Sequence, residues 1–430
     1  MNGIQQSAGS SGPEFPPVAP SGLRQAPAGR EYISLERAVD LLLEQVQPLN
    51  EPERLPLLEA VERVAFADIH ASIPQPPFNR SPLDGYALHH EDSAGASRET
   101  PARLRITQHI FAGDGQEKPL NFGEAARIMT GAMLPPGADC VIGQEDTDAD
   151  REWVSVYRPL QRLQNICFRG EDVAEGQLLA LRGRKLHHAH LGLLAGQGLS
   201  GVSVFRRVKA AVMSTGDELI PADAHPAPGK IHDSNSILLG ARLRSLGMLP
   251  VLSSCCADDV QRLYDEIRTL LRDNDLVITT GGVSVGEKDF LPAVAAMLGG
   301  RILFHGIKIK PGSPALAVAK DGKILLCLSG NPYAASATFE VLAVPALHKL
   351  SGNKQFSLLR QNGISRSEFG KSSDMRRLVR ARISGQEVFI PPHGHASGML
   401  RTLADCNCMI DIPAGAPPLQ SGTPVTVILI

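Results

Sequence analysis

Three short runs of this chain combine groups that hold anions with groups that hold a hard cation. The first is Ser214-Thr215-Gly216-Asp217-Glu218-Leu219. The second runs from Thr279-Thr280-Gly281-Gly282-Val283-Ser284 to Glu287-Lys288-Asp289. The third is Ser329-Gly330-Asn331-Pro332. Adjacent glycines let backbone N–H groups approach an anion closely, and Ser/Thr hydroxyls add donors. Two carboxylates close the first run, and Asp289 closes the second, where it could cap a helix or hold a hard cation. Taken singly, each run is weak, because a Gly-rich turn with a capping Asp is more often architecture. Together they point to a phosphorylated substrate with a divalent metal, and oxygen donors make Mg²⁺ the natural choice.

The flanking elements give the three runs a common address. Lys209–Met213, Leu276–Ile278 and Ile324–Leu328 are apolar enough to be buried strands. Helical spacing follows over Asn235–Leu246, from Asp258 or Asp259 to Leu271, and over Pro332–Leu350. Alternating strands and helices predict a mostly parallel α/β sheet, and open sheets of that kind bind ligands at the carboxyl ends of their strands. From about Asp84 to Ala180 the pattern is short β runs broken by Gly, Pro and Asp, which predicts an all-β insert. Ser34 offers an N-cap for a helix carrying Ala38, Leu41, Leu42 and Val46, and a second amphipathic segment spans Pro56–Phe66. After Asn353 the chain returns to β runs, which predict a small β-barrel. The first 30 residues are rich in Gly, Pro, Ser, Ala and Gln and predict a disordered tail.

Composition narrows the function. With 43 basic and 45 acidic residues the formal net charge is -2, and aromatics are only 4%. Neither bulk electrostatics nor stacking surfaces favour a nucleic-acid partner. No stretch approaches the ~20 apolar residues of a membrane span, and no secretory signal is visible. Seven cysteines without a CxxC read as free thiols, so the expected compartment is the cytoplasm.

A family resemblance covers residues from about Ile33 to Ile430. The run TTGGVSVGEKDF resembles the GGVSVGExD signature of MoeA-type proteins, the family that includes the gephyrin E domain, and STGDEL and SGNP match its other loops in order. Pro76-Pro77-Phe78-Asn79-Arg80-Ser81-Pro82-Leu83-Asp84-Gly85-Tyr86-Ala87 resembles PPFDNSAMDGYA. Arg127-Ile128-Met129-Thr130-Gly131-Ala132 with Pro135–Asp139 resembles RIMTGAxxPxGAD, and Asn165–Asp172 resembles NIRxxGED. Met399–Asn407 resembles the C-terminal SLAxAN stretch.

The resemblance implies an α/β plus β multidomain chain. Its parts are a tail (1–30), a linking domain (31–75 and 173–205), a β insert (76–172), an α/β domain (206–352) and a C-terminal β-barrel (353–430). It implies an elongated homodimer whose site lies between the α/β domain of one subunit and the insert of the other. The implied reaction is molybdenum transfer, in which molybdate meets adenylylated molybdopterin and AMP is released. By motif position, Asp84, Thr130, Asp172, Glu218, Asp258 and Asp289 are the implied functional residues, with Glu218 and Asp289 on Mg²⁺ and the substrate phosphates. Gly281, Gly282, Val283 and Ser284 would cradle phosphate or molybdate, Lys308 and Lys310 would pair with anions, and Ser214–Asp217 and Ser329–Pro332 would line the substrate. Molybdopterin adenylyltransferase and molybdoenzyme maturation proteins are the implied partners. The alternatives are a catalytically altered paralogue serving as a molybdopterin-binding or scaffold protein, and an adenylyltransferase; the insert and barrel argue against the latter.

Four departures from the pattern stand out. Asn79-Arg80 replaces Asp-Asn, Cys167 replaces the first arginine of NIR, Ser313 replaces the Lys or Arg of KPGKP, and Ser329 replaces a proline. Loss of a cation should weaken anion binding, and Arg80 offers a new one. The remaining conspicuous residues have plainer readings. His187-His188-Ala189-His190 and His393-Gly394-His395 read as polar ends of elements before they read as metal ligands. Cys406 and Cys408 read as packing.

Overall fold

The computed structural model describes residues 31–115, 118–148, 151–283, 290–392 and 394–430. The expected tail, Ser284, Asp289 and His393 lie outside the described residues.

The predicted α/β region forms a six-stranded sheet. Its order is Leu249–Leu252, Lys209–Ser214, Leu276–Thr280, Lys323–Leu328, Leu316–Lys320 and Arg301–His305. The first four strands are mutually parallel; Leu316–Lys320 runs against both of its neighbours. Alternation along the strands divides two cores. Ala210, Val212, Leu276, Ile278 and Leu326 face one side, and Ala211, Met213, Val277 and Leu325 face the other. Helices Asn235–Ser245 and Val260–Asp273 connect the parallel strands. The stretch Pro332–Leu350 is helical throughout, with a π segment at Phe339–Ala343.

The first helix, Leu35–Gln45, is capped as expected by Ser34, whose Oγ accepts from the Arg37 N–H at 3.1 Å. Its apolar stripe of Leu35, Ala38 and Leu42 buries in the α/β core beside Leu347, so this helix packs with the sheet domain rather than with the linking segment. The linking segment has its own small core of Ala60, Ala65, Leu186, Leu194, Val202 and Val204. Two antiparallel pairs build it, Pro52–Pro56 with Gly201–Phe205 and Ile69–His70 with Leu178–Ala180. The amphipathic run from Pro56 gives only one 3-10 turn, Leu57–Ala60, and Leu58 and Val61 remain exposed.

The insert is a five-stranded mixed sheet in the order Cys140–Gly143, Gly85–Leu88, Glu124–Ile128, Ala102–Ile110, Trp153–Val156, with a core on each face. The C-terminal strands close on themselves. Arg376–Ser384 pairs with Glu387–Phe389, that strand with Arg360–Ser365, then Pro424–Leu429, then Cys408–Ile412, which returns to Arg376–Ser384. The short strand Ile309–Lys310 pairs in parallel with Arg376 and Arg377 and ties the barrel to the α/β domain. All seven cysteines are free thiols. Among the described residues no helix is long and apolar enough to cross a membrane.

Candidate active site

The register of the parallel sheet brings the three polar runs to one level. Ser214 pairs with Thr280, and Thr280 with Leu328. The loops that follow therefore leave the sheet side by side, stitched by backbone bonds. Thr215 N–H donates to the Thr280 carbonyl at 2.8 Å, and Gly281 N–H to the Leu328 carbonyl at 3.0 Å. Gly281 (φ +94°) is required here, because a Cβ at that position would lie 2.3 Å from the Thr215 carbonyl oxygen. Val283 contributes backbone only, since its side chain is buried in the core with Leu263 and Leu291.

A hydroxyl–carboxylate network underlies the loops, and its hub was missed in the sequence. Asp233 Oδ1 accepts from Ser214 Oγ at 2.7 Å and from the N–H groups of Asn235 (3.0 Å) and Ser236 (3.2 Å). Its Oδ2 accepts from Ser236 Oγ and from the Cys255 thiol. Asn235 then spans two loops, donating from Nδ2 to the Gly330 carbonyl at 2.8 Å and to Thr280 Oγ1 at 3.4 Å. Its Oδ1 is buried without a partner. The signal was present as Asp233-Ser234-Asn235-Ser236, but the run also reads as an ordinary helix start.

Asp217, Glu218 and Asp258 gather at the mouth of the first loop. Asp258 N–H donates to Asp217 Oδ1 at 3.0 Å. Asp259, not Asp258, caps the following helix, accepting from the Arg262 N–H at 2.8 Å. The exposed Glu218 carboxylate folds back against Gly216, within 2.5 Å of where a Cβ on that glycine would stand. The oxygen-only donors suit a hard cation, but no three His, Cys, Asp or Glu side chains converge on one point among the described residues.

The barrel supplies a second face. Lys310, Arg377, Arg380, His395 and Ser397 line a cavity of about 210 Å³ together with Tyr333, which begins the helix after the third loop. Ser397 fixes this junction, its carbonyl accepting from the Tyr333 N–H at 2.9 Å. Arg380 is fully buried, stacked over the Tyr333 ring at 4.3 Å, and its guanidinium holds the Met399 and Ala396 carbonyls. Arg377 Nε, Arg380 Nε and His395 Nδ1 are buried without partners. Burial, with Arg380 and Lys371 nearby, pushes the His395 pKa down. The two lysines of the 308–310 stretch diverge: Lys310 lines this cavity, whereas Lys308 lines another, with Glu36, Arg376 and Asp411. Ser313 turns inward, donating from Oγ to the Ile309 carbonyl.

In the insert, Asp84 and Thr130 meet. Thr130 N–H and Oγ donate to Asp84 Oδ1 at 2.7 and 2.8 Å. These bonds, backbone first and hydroxyl second, hold the exposed carboxyl below its ordinary range, so it stays ionised. Asp172 is exposed at the base of the insert, its N–H bonded to the Gln75 carbonyl at 3.0 Å. The His187 and His190 rings approach to 3.9 Å, tilted by 58°, at the start of helix His188–Gly196, and His190 Nδ1 takes the His187 N–H.

Three family models tile the chain. They are the MoeA N-terminal region (domain I and II) over residues 33–198, the probable molybdopterin binding domain over 211–349, and the MoeA C-terminal region (domain IV) over 362–430. A molybdopterin molybdenumtransferase of Staphylococcus epidermidis is 34% identical over 407 residues, covering 93% of this chain and 96% of that protein. The one from Bacillus subtilis is 35% identical over 391 residues, covering 89% and 91%. The structure of a molybdopterin biosynthesis MoeA protein from Pyrococcus horikoshii superposes with a TM-score of 0.82 at 27% identity, covering 93% of this chain and all of that one. Matched over about nine-tenths of its length in sequence and in fold, the chain belongs to the MoeA family of molybdenum-cofactor biosynthesis enzymes.

Proposed function

We propose that the protein is a molybdopterin molybdenumtransferase that works in the cytoplasm on adenylylated molybdopterin and molybdate, and releases AMP. The observation that carries this reading is the shared level of the three loops: anion-cradling backbone, hydroxyls and carboxylates all leave adjacent strands within one hydrogen-bonded assembly. Gly282 presents its backbone N–H to phosphate or molybdate at a turn made by Gly281, whose own N–H is held by the Leu328 carbonyl, and Ser284 would add a hydroxyl donor. Ser329 and Asn331 line the substrate, and the buried Ser214 and Thr215 support the loops from beneath. Lys310, Arg377 and His395 offer N–H donors to its anionic end. Charge handling governs the reaction, because cleavage of a P–O bond builds negative charge on leaving AMP.

Glu218, with Asp289, would hold Mg²⁺, which supplies charge neutralisation at the phosphates when bound. Asp258 is placed by its bond to Asp217 to orient groups at the same mouth. Asp84, Thr130 and Asp172 act from the insert, and in a homodimer they would close the site of the partner subunit. The partner reaction is the adenylylation that supplies the substrate, and a molybdoenzyme maturation protein would take the product.

The test is product formation. Purified protein given adenylylated molybdopterin, Mg²⁺ and molybdate should yield a product that reconstitutes an apo-molybdoenzyme. Substrate consumed without any reconstituting product would refute transfer.

A further inference from the structure

Two positions at which this chain departs from the family pattern face each other in the insert. Arg80 stands where the pattern has asparagine, and Cys167 where it has arginine. The two residues form an antiparallel bridge, each N–H donating to the other's carbonyl at 3.0 Å. Side chains of such a pair lie on the same face of the ribbon, within reach of each other. The Cys167 thiol has the Glu171 carboxylate as well as Arg80 in its surroundings, and burial with Glu171 outweighs the arginine and pushes the thiol pKa up. A guanidinium carried at 80 therefore covers the patch that one carried at 167 would cover.

The neighbouring departure removes one carboxylate from the vicinity of this charge. Asn79 Oδ1 accepts from the Arg169 N–H at 2.8 Å, the role an aspartate would fill there, but without a negative charge. Arg80 is exposed, and the nearby Glu171 takes the Phe168 N–H at 2.8 Å, with no ion pair to Arg80 among the described residues. The ribbon then leads directly to the functional pair. Ser81 exchanges backbone bonds with Gly131 and Ala132, at 2.8 and 3.0 Å, and these residues follow Thr130, which holds Asp84.

We infer that Arg80 is a substrate-binding residue, an arginine moved across a strand pair from position 167, that contacts a phosphate or oxyanion of the substrate. The inference rests on the transferase reading above. A planar guanidinium can give two parallel N–H bonds to such a group, which sets position as well as charge. The two departures are then one compensated change, and neither is a loss.

Arg80→Asn, Cys167→Arg and the double variant would be compared with the wild type in binding of adenylylated molybdopterin and in molybdate-dependent AMP release. Arg80→Asn is expected to weaken binding and raise KM roughly tenfold or more, the scale of a charge-assisted hydrogen bond, with kcat changed much less. The double variant should return to within about threefold of wild type, because the guanidinium is restored from the opposite strand. Arg80→Asn with wild-type KM, or a double variant no better than Arg80→Asn, would overturn the inference. Because the side chain is exposed and its backbone pairing does not depend on it, unchanged thermal midpoints should accompany all three variants. Wild-type protein that binds the substrate but releases no AMP would remove the transferase reading, while the Arg80 comparison would still be read from binding. Wild-type turnover with an indifferent Arg80→Asn would sink the Arg80 assignment alone.

Discussion

In the α/β domain, the site loops rest on a buried assembly in which each polar group restrains another. Asp233 takes bonds from Ser214, Ser236, Cys255 and two backbone N–H groups, and Asn235 ties the Gly330 loop to Thr280. In the insert, the pair Asp84–Thr130 is exposed, and its restraint is local: one carboxylate oxygen, one N–H, one hydroxyl. The difference separates two ways of making a site. Buried networks position groups in advance of the substrate and couple activity to stability. Exposed pairs contribute little to folding, so their substitution should change chemistry and leave the fold intact.

Asp233→Ala should give the largest effect, because it strands several donors at once. About 3 kcal/mol of stability should be lost, with turnover falling at least as steeply as for any loop variant, as read by denaturant unfolding and AMP release. A stable Asp233→Ala protein would erase the contrast between the regions. Glu218→Gln keeps the shape of the side chain and removes its charge. Turnover is expected to fall roughly a hundredfold, in line with loss of one electrostatic stabiliser, with an unchanged thermal midpoint because the side chain is exposed. Asp84→Ala should lower turnover by about tenfold or more, again without loss of stability; a lowered midpoint would show that the insert pair is structural.

The smallest expected effect is a pH dependence at the barrel junction. Burial works to raise the Asp411 carboxyl, but hydrogen bonds and charge from Arg376 and Arg360 outweigh it and hold its pKa below the ordinary carboxylate range. A depressed folded value means that the stabilisation is present above the unfolded pKa and is lost as pH falls through the folded one. Acid unfolding of the wild type should carry this contribution below about pH 4. Asp411→Asn should cost about 2 kcal/mol at neutral pH and flatten that part of the acid limb.

Much of the α/β domain was legible because strands and helices there are short-range patterns. The apolar runs before Ser214, Gly281 and Ser329 announced strands, and the sheet confirms that they are adjacent and parallel. Asp233 was not legible as a hub, since Asp-Ser-Asn-Ser before an apolar helix is also ordinary capping chemistry. The barrel cavity was not legible, because His395 read as the polar end of an element. Arg377, Arg380 and Ser397 became site residues through the pairing of Ile309–Lys310 with Arg376–Arg377 and the contact of Ser397 with Tyr333. Those contacts join residues more than 60 positions apart, which no local pattern encodes. For the same reason the first helix read as part of a linking domain, whereas Leu35, Ala38 and Leu42 bury against the sheet domain. Lys308 and Lys310 looked equivalent in sequence, but they line different cavities.

The most direct test of the account is AMP release from adenylylated molybdopterin with Mg²⁺, measured with and without molybdate, for the wild type and Glu218→Gln. The account predicts release stimulated by molybdate in the wild type and largely lost in the variant. Release that ignores molybdate, or equal release by both proteins, would contradict it.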